Sequence, residues 1–290
     1  MKNQKAKSLI LLEKEKLIGN SGCKLNIFKD KIFKVRKQSS NILNSKRLYK
    51  QYLKILNFKN FKNISVPKIY KYNKSEKLFY YDMEYINGAT LSLYLMSQPI
   101  SETKIIIDNL IDYIFSCKKS STLKYNPSKF LNKIKDLQKH KNFKGIFFIR
   151  IFKVLQKHTW KNVEKSPSHG DLSLENIIIK REIIKFIDLS DNFVSSYKLD
   201  ISKIIFDIIS SWSFRNIPLR LDDLKIYSLK IYLLKIFSKN LSINDIEDIK
   251  MLILLDFLRV LLYTKNKDEI NLLENKLKNF YDNINNPLRW

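Results

Sequence analysis

Ser166–Asp191 reads SPSHGDLSLENIIIKREIIKFIDLSD. The runs Ile177-Ile178-Ile179 and Ile183-Ile184 flank Lys180-Arg181-Glu182. They predict two short strands joined by a tight turn. His169-Gly170-Asp171 leads into the first strand, Asn176 stands at its start, and Ile187-Asp188 closes the second. A hairpin of this kind is expected to bring Asp171, Asn176 and Asp188 to one end of the pair. One carboxylate is then available to a substrate hydroxyl, while an amide oxygen and a second carboxylate suit a hard cation. Phosphoryl transfer needs such a set, because its difficulty is charge and alignment rather than covalent chemistry.

The chain around this stretch has 290 residues and 44% hydrophobic content. That is enough for one large domain or two lobes, and it argues against general disorder. The formal charge is +26 and unevenly spread. Residues 1–80 hold 21 Lys and Arg against 4 Asp and Glu, a balance of +17, which leaves +9 for the rest. Two readings stand: a global bias toward Lys, Asn and Ile, or attraction to a polyanion such as nucleotide, glycan, lipid or nucleic acid. The compositional reading is preferred, so nucleic acid is a possible partner but not the favoured one. Cys23 and Cys117 lack metal-type spacing, as expected of a reduced, cytoplasmic protein. Leu9-Ile10-Leu11-Leu12 is too short for a signal-peptide core or a membrane span.

Upstream, Lys24–Phe28 and Ile32–Lys37 predict strands. Residues 41–58 carry helical spacing, and Lys68–Tyr72 and Leu78–Ile86 predict further strands ending at Asn87-Gly88. Beyond Gly88 the texture turns helical: Thr90–Met96, Glu102–Lys118, Pro127–His158, and again from about Ile201 to Tyr281. The class is α+β, with a small β-rich lobe over 1–87 and a mostly helical lobe over 88–290 that holds the catalytic loop and the metal-binding hairpin.

This arrangement resembles the protein-kinase-like fold. Its H-G-D-x4-N motif followed by I-D is similar to the small-molecule branch: aminoglycoside phosphotransferases, choline kinases and their relatives. Asp188 lies twelve residues after Asn176, where that branch has its second metal-binding acid. Four of the five glycines fall where the fold wants them, at the nucleotide loop, hinge and catalytic loop. Gly170 replaces the arginine of protein kinases, Ser173 replaces a frequent lysine, and no A-P-E follows Asp188. A small acceptor is therefore favoured over a protein one.

The resemblance implies roles. Asp171 orients the acceptor hydroxyl and takes its proton, with His169 bracing the loop. Asn176 and Asp188 hold Mg²⁺. Gly19, Asn20, Ser21 and Gly22 form the nucleotide loop, and Glu84 and Ile86, next to Asn87-Gly88, belong with the cofactor-binding residues. Strand alternation puts Phe33, Val35 and Lys37 on one face and Ile32, Lys34 and Arg36 on the other. Lys37 is thus the expected phosphate-binding lysine, and Lys34 and Arg36 are solvated strand charges. Residues 31–75 contain no acid, which leaves Gln51 as the polar partner on the helix. Asp191 either supports the metal loop or is exposed, Asp200 is expected to cap the following helix, and Trp212 and Arg215 line an acceptor pocket or belong to the core.

The implied activity is ATP-dependent phosphorylation of a hydroxyl on a small polar metabolite: a sugar, glycan precursor or amino alcohol. The chain also looks like bacterial phosphotransferases of surface-polysaccharide synthesis. The alternatives are a nucleic-acid-associated kinase-like module and a non-catalytic nucleotide-binding pseudokinase.

Overall fold

The computed structural model describes residues 22–73, 78–217 and 223–284. Gly19, Asn20 and Ser21 lie outside them. The chain forms two compact units. The first runs to Ala89 and includes Ile178–Asp191; the second comprises Thr90–Ile177 and Asn192 onward.

The first unit is built on strands β1 (Cys23–Lys29), β2 (Phe33–Ser39), β4 (Ile69–Tyr72) and β5 (Tyr80–Glu84), in the antiparallel order β1-β2-β5-β4. Helix α1 (Ile42–Leu56) packs on β2 and β5. Asn41 caps it, its side chain accepting from the Asn44 N–H at 2.8 Å, which satisfies one of the donors every helix start leaves open. Leu48, Gln51, Tyr52 and Ile55 form the buried face, one helical turn apart. Tyr52 meets Phe79 at 5.5 Å and Tyr72 at 4.8 Å between ring centres, so aromatic packing fixes the helix to the sheet.

A second sheet contains β3 (Ile64–Ser65), β8 (Ile183–Phe186), β7 (Ile177–Lys180) and β6 (Ala89–Thr90), in that order. β7 and β8 are the hairpin expected from the isoleucine runs. Arg181 turns between them at φ 56° and Asp188, just past β8, sits at φ 56°. Two-residue β3, parallel to β8, was not anticipated; Ile64-Ser65 is too short to show a period of two.

The second unit is helical: α2 (Leu91–Ser97), α3 (Ile100–Lys119), α4 (Ser128–Gln138), α5 (Ile146–Lys157), α6 (Tyr197–Ser210), α7 (Asp223–Asn240), α8 (Ile243–Tyr263) and α9 (Lys267–Asp282). The expected continuous stretch 127–158 is two helices, and Gly145 opens the second. α6 starts at Tyr197, earlier than expected, because Ser196 provides the cap. α6 and α8 pack together at the centre, with Phe206 edge-on to Phe257 at 4.8 Å. Nearly every residue of α6 is buried, so its polar side chains must find internal partners. Lys198 does so with Asp245 at 2.7 Å and Asp248 at 2.8 Å, and His158 lies 2.7 Å from the other oxygen of Asp248. Among the described residues no helix is long and apolar enough to cross a membrane.

Gly88 marks a close approach. A Cβ there would lie 2.5 Å from the Ile179 carbonyl oxygen, and a backbone atom cannot move aside as a flexible side chain can. Gly88→Ala should destabilise the fold by about 1–3 kcal/mol, read from the urea midpoint. Gly145→Ala is the control: its nearest neighbour would be Phe148 at 3.9 Å. Equal midpoints for the two variants would contradict the steric argument.

Candidate active site

In the first unit, Lys37 is fully buried, and its Nζ donates to Gln51 Oε1 at 3.2 Å and to Asp188 Oδ1 at 2.6 Å. One buried cation is thus held by the helix amide and by the hairpin acid. Lys34 turns to the other face and pairs with Asp30 at 3.1 Å. Arg36 is more than a solvated charge: it grips Asp82 through two hydrogen bonds of 2.7 and 2.9 Å and stacks 4.2 Å from the Tyr80 ring. Asp82 lies opposite Arg36 across β2 and β5, a cross-strand pairing that a single strand's pattern does not reveal.

Asp188 holds its left-handed backbone as one of few residue types that tolerate it. Tyr81, opposite Lys37 in the sheet, is fully buried. Burial, then the nearby Asp188 charge, pushes its phenol well above the ordinary value. Asp191 pairs on the surface with Lys50 of α1 at 2.8 Å. Lys54 donates to the Ser190 carbonyl at 2.7 Å, so α1 holds the segment after β8 at two points. Glu84 accepts from Lys185 at 3.3 Å, and Ile86 is buried. Gly22, at φ 69°, accepts from Asn44 at 3.1 Å through its carbonyl.

In the second unit the loop 169–176 rests on α6. Asp200 does not cap that helix. Because α6 begins at Tyr197, Asp200 is already inside the first turn and points under the loop. Its carboxylate accepts from the backbone N–H groups of His169 at 2.6 Å and Gly170 at 2.8 Å. Gly170 adopts φ 86°, a conformation that favours glycine. His169 is fully buried and its Nδ1 accepts from the Asp171 N–H at 3.3 Å. Asn176 donates through Nδ2 to the Asp171 carbonyl at 2.9 Å, which fixes the orientation of its amide oxygen.

Asp171 keeps about two fifths of its side chain exposed, and its Oδ1 lies 3.3 Å from Lys203 Nζ. Burial pushes its carboxyl up, but Lys203, Arg259 and His169 outweigh that and hold it below the ordinary carboxylate range. Asp207 accepts from the Leu174 N–H at 2.7 Å and the Ser213 hydroxyl at 2.6 Å. Asp200, Lys203 and Asp207 were missed as site residues. Their spacing of three and four was visible, yet it reads equally as a solvated helix face.

Trp212 lies in a short 3-10 turn, with the Arg215 guanidinium 4.0 Å from its ring. Arg215 also pairs with Glu175 at 2.9 Å, so its charge is already opposed within the unit. Burial raises the Glu175 carboxyl, against the pull of Arg215. An apolar cavity of about 220 Å³ lies elsewhere in this unit, between α2, α3 and α7, lined by Leu95, Met96, Ile100, Ile226 and Leu229 among others. None of the residues expected at the site lines it.

The donors suit the implied ligands. Asn176 and Asp188 offer oxygen, the ligand type Mg²⁺ prefers. Lys37 offers a charge with a fixed stem, which suits phosphate.

No protein-family model matches the chain, and no curated protein sequence does. Solved structures do. The "Putative fructosamine-3-kinase" of Haemophilus somnus 129PT aligns with a TM-score of 0.53 at 16% identity, covering 92% of this chain and 90% of its own. The amicoumacin kinase hAmiN, solved with AMP-PNP, Ca²⁺ and Ami, aligns with a TM-score of 0.52 at 14% identity, covering 96% and 93%. The chain thus has the α+β, protein-kinase-like fold.

Asp207 gives a pH test. Burial lifts its carboxyl from 3.8 to about 7, against the hydrogen bonds from Ser213 and Leu174. The folded state binds this proton more tightly than the unfolded one. The stability it contributes is fully present below about pH 4 and is lost as pH rises through about 7. Asp207→Asn removes the titration, so the drop in urea midpoint between about pH 5 and about pH 8 should shrink. A drop as large as the parent's would contradict the assignment.

Proposed function

We propose that the protein is an ATP- and Mg²⁺-dependent phosphotransferase acting on a hydroxyl of a small polar metabolite. The observation that carries the reading is the buried Lys37 held between Gln51 and Asp188, on a protein-kinase-like fold. A lysine costs several kcal/mol to bury unless paired. Here it is paired with the acid that the H-G-D-x4-N…I-D spacing marks for metal. Two similar structures support it, one named for fructosamine and one solved with an ATP analogue and Ca²⁺.

In this reading Asp171 orients the acceptor hydroxyl and receives its proton as the phosphoryl group departs. Lys37 contacts the phosphates, and Gly19–Gly22 and the Glu84–Ile86 segment hold the nucleotide. Asn176 and Asp188 are the oxygen ligands of Mg²⁺, which supplies charge stabilisation at the phosphates when bound. His169 and Asp200 fix the loop that carries Asp171. The acceptor is a sugar, a glycan precursor or an amino alcohol. Surface-polysaccharide synthesis is one setting that uses such a step, and the cytoplasm, where ATP is made, is the compartment.

The test is ATP consumption against sugars, amino alcohols and aminoglycosides. Asp171→Asn should lose about 10²–10⁴ in turnover and keep Mg·ATP affinity within a few-fold. A variant that turns over like the parent sinks the assignment. Lys37→Met should cut turnover sharply, whereas Lys34→Met, which breaks the pair with Asp30 and the contact with the Tyr70 ring, should change it by less than about twofold. The reverse ranking would reject Lys37.

A further inference from the structure

Three polar side chains of α6 meet the loop in register. Asp200 takes the N–H groups of His169 and Gly170, Lys203 takes the carboxylate of Asp171, and Asp207 takes the N–H of Leu174. The outer two grip backbone. Lys203 touches a side chain of the loop, and that side chain is the one the reaction needs.

Lys203 is buried, and its tighter partner is not Asp171. It lies 2.8 Å from Asp256 Oδ1 and 3.3 Å from Asp171 Oδ1. Asp256 of α8 is itself buried, bonded to Ser202 at 2.9 Å and paired with Arg259 at 3.2 Å. The ammonium is therefore anchored from α8 and extends a second, longer contact to the loop. Residues 166–179 contain no Lys or Arg, so the loop brings no cation of its own. Packing alone would be served as well by apolar groups in place of both Lys203 and Asp256, since replacing a whole buried ion pair in this way is often neutral or stabilising.

We propose that Lys203 is a positioning residue for phosphoryl transfer, holding one oxygen of Asp171 so that the other faces the acceptor hydroxyl, with Asp256 fixing the lysine in turn. The inference rests on the reading of Asp171 given above. It assigns the cation beside the base to α6, where sequence comparison with protein kinases looks for it at position 173. A base free to rotate loses alignment without losing nucleotide, so the effect falls on turnover and not on affinity.

The test uses the full chain, with ADP formation from Mg·ATP (water or the best acceptor of the screen) and calorimetric binding of Mg·AMP-PNP. Lys203→Met should slow turnover about tenfold or more and leave the Kd for Mg·AMP-PNP within about threefold. Lys203→Arg should restore turnover to within about threefold. In the Asp171→Asn background, Lys203→Met should cost nothing further, because the two act as one unit. Should Lys203→Met fail to fold, Lys203→Met with Asp256→Asn removes the orphaned charge and is measured the same way. Parent-like turnover in Lys203→Met beside an inactive Asp171→Asn overturns the role of Lys203 and leaves Asp171 standing. A further tenfold loss in the double variant overturns it too, by placing Lys203 on another path. Parent-like turnover in Asp171→Asn, or a parent that forms no ADP with water or any acceptor of the screen, sinks the underlying reading and this one with it.

Discussion

A helix buried on nearly all sides cannot leave a polar side chain unpaired, and α6 carries Asp200, Lys203 and Asp207 along one face. The loop 169–176 is where they find partners. Two carboxylates take three backbone N–H groups, donors that a loop over an apolar core would leave unsatisfied. Each side removes the other's desolvation cost. The position of Asp171 is thus tied to the core of its unit, through α6 and on to Asp256 in α8.

The first unit solves a similar problem differently. In a stretch of 45 residues with no acid, a buried lysine on β2 has to look beyond the helix packed against it for a counter-charge. It finds Asp188, 151 positions away in sequence, with Gln51 as the neutral second partner. The ion pair therefore joins β2 to the hairpin, and the aromatic cluster around Tyr52 and Phe79 supplies the packing beneath it.

Much of this was legible. The isoleucine runs and the turn between them gave the hairpin, period-two alternation separated Lys37 from Lys34, and the shift to helix near Gly88 is real in the order of elements. What escaped has physical reasons. β3 spans a single period of its own signal, too little for an alternation to show. The role of Asp200 depends on where α6 begins, and helix ends are set by a cap: one serine, Ser196, moved the start and turned a supposed capping residue into a support for the loop. Arg36 with Asp82 is a pairing across strands, and Lys203 with Asp171 and Asp256 is a pairing across helices. Neither leaves a trace in local periodicity.

Arg181 and Asp188, both at φ 56°, stand at the two ends of β8 like stops on a slide. Moving the strand along by one residue would hand the left-handed conformation at its exit to Ile187, a β-branched side chain that resists it. The same step would turn Ile184 and Phe186 outward. The register of the hairpin is thereby locked by backbone shape as well as by packing, and the carboxylate at 188 inherits that lock. A one-residue insertion or deletion between 181 and 188 is consequently a different event from one in an ordinary surface turn: it shifts the acid away from Lys37 even where the hairpin itself survives.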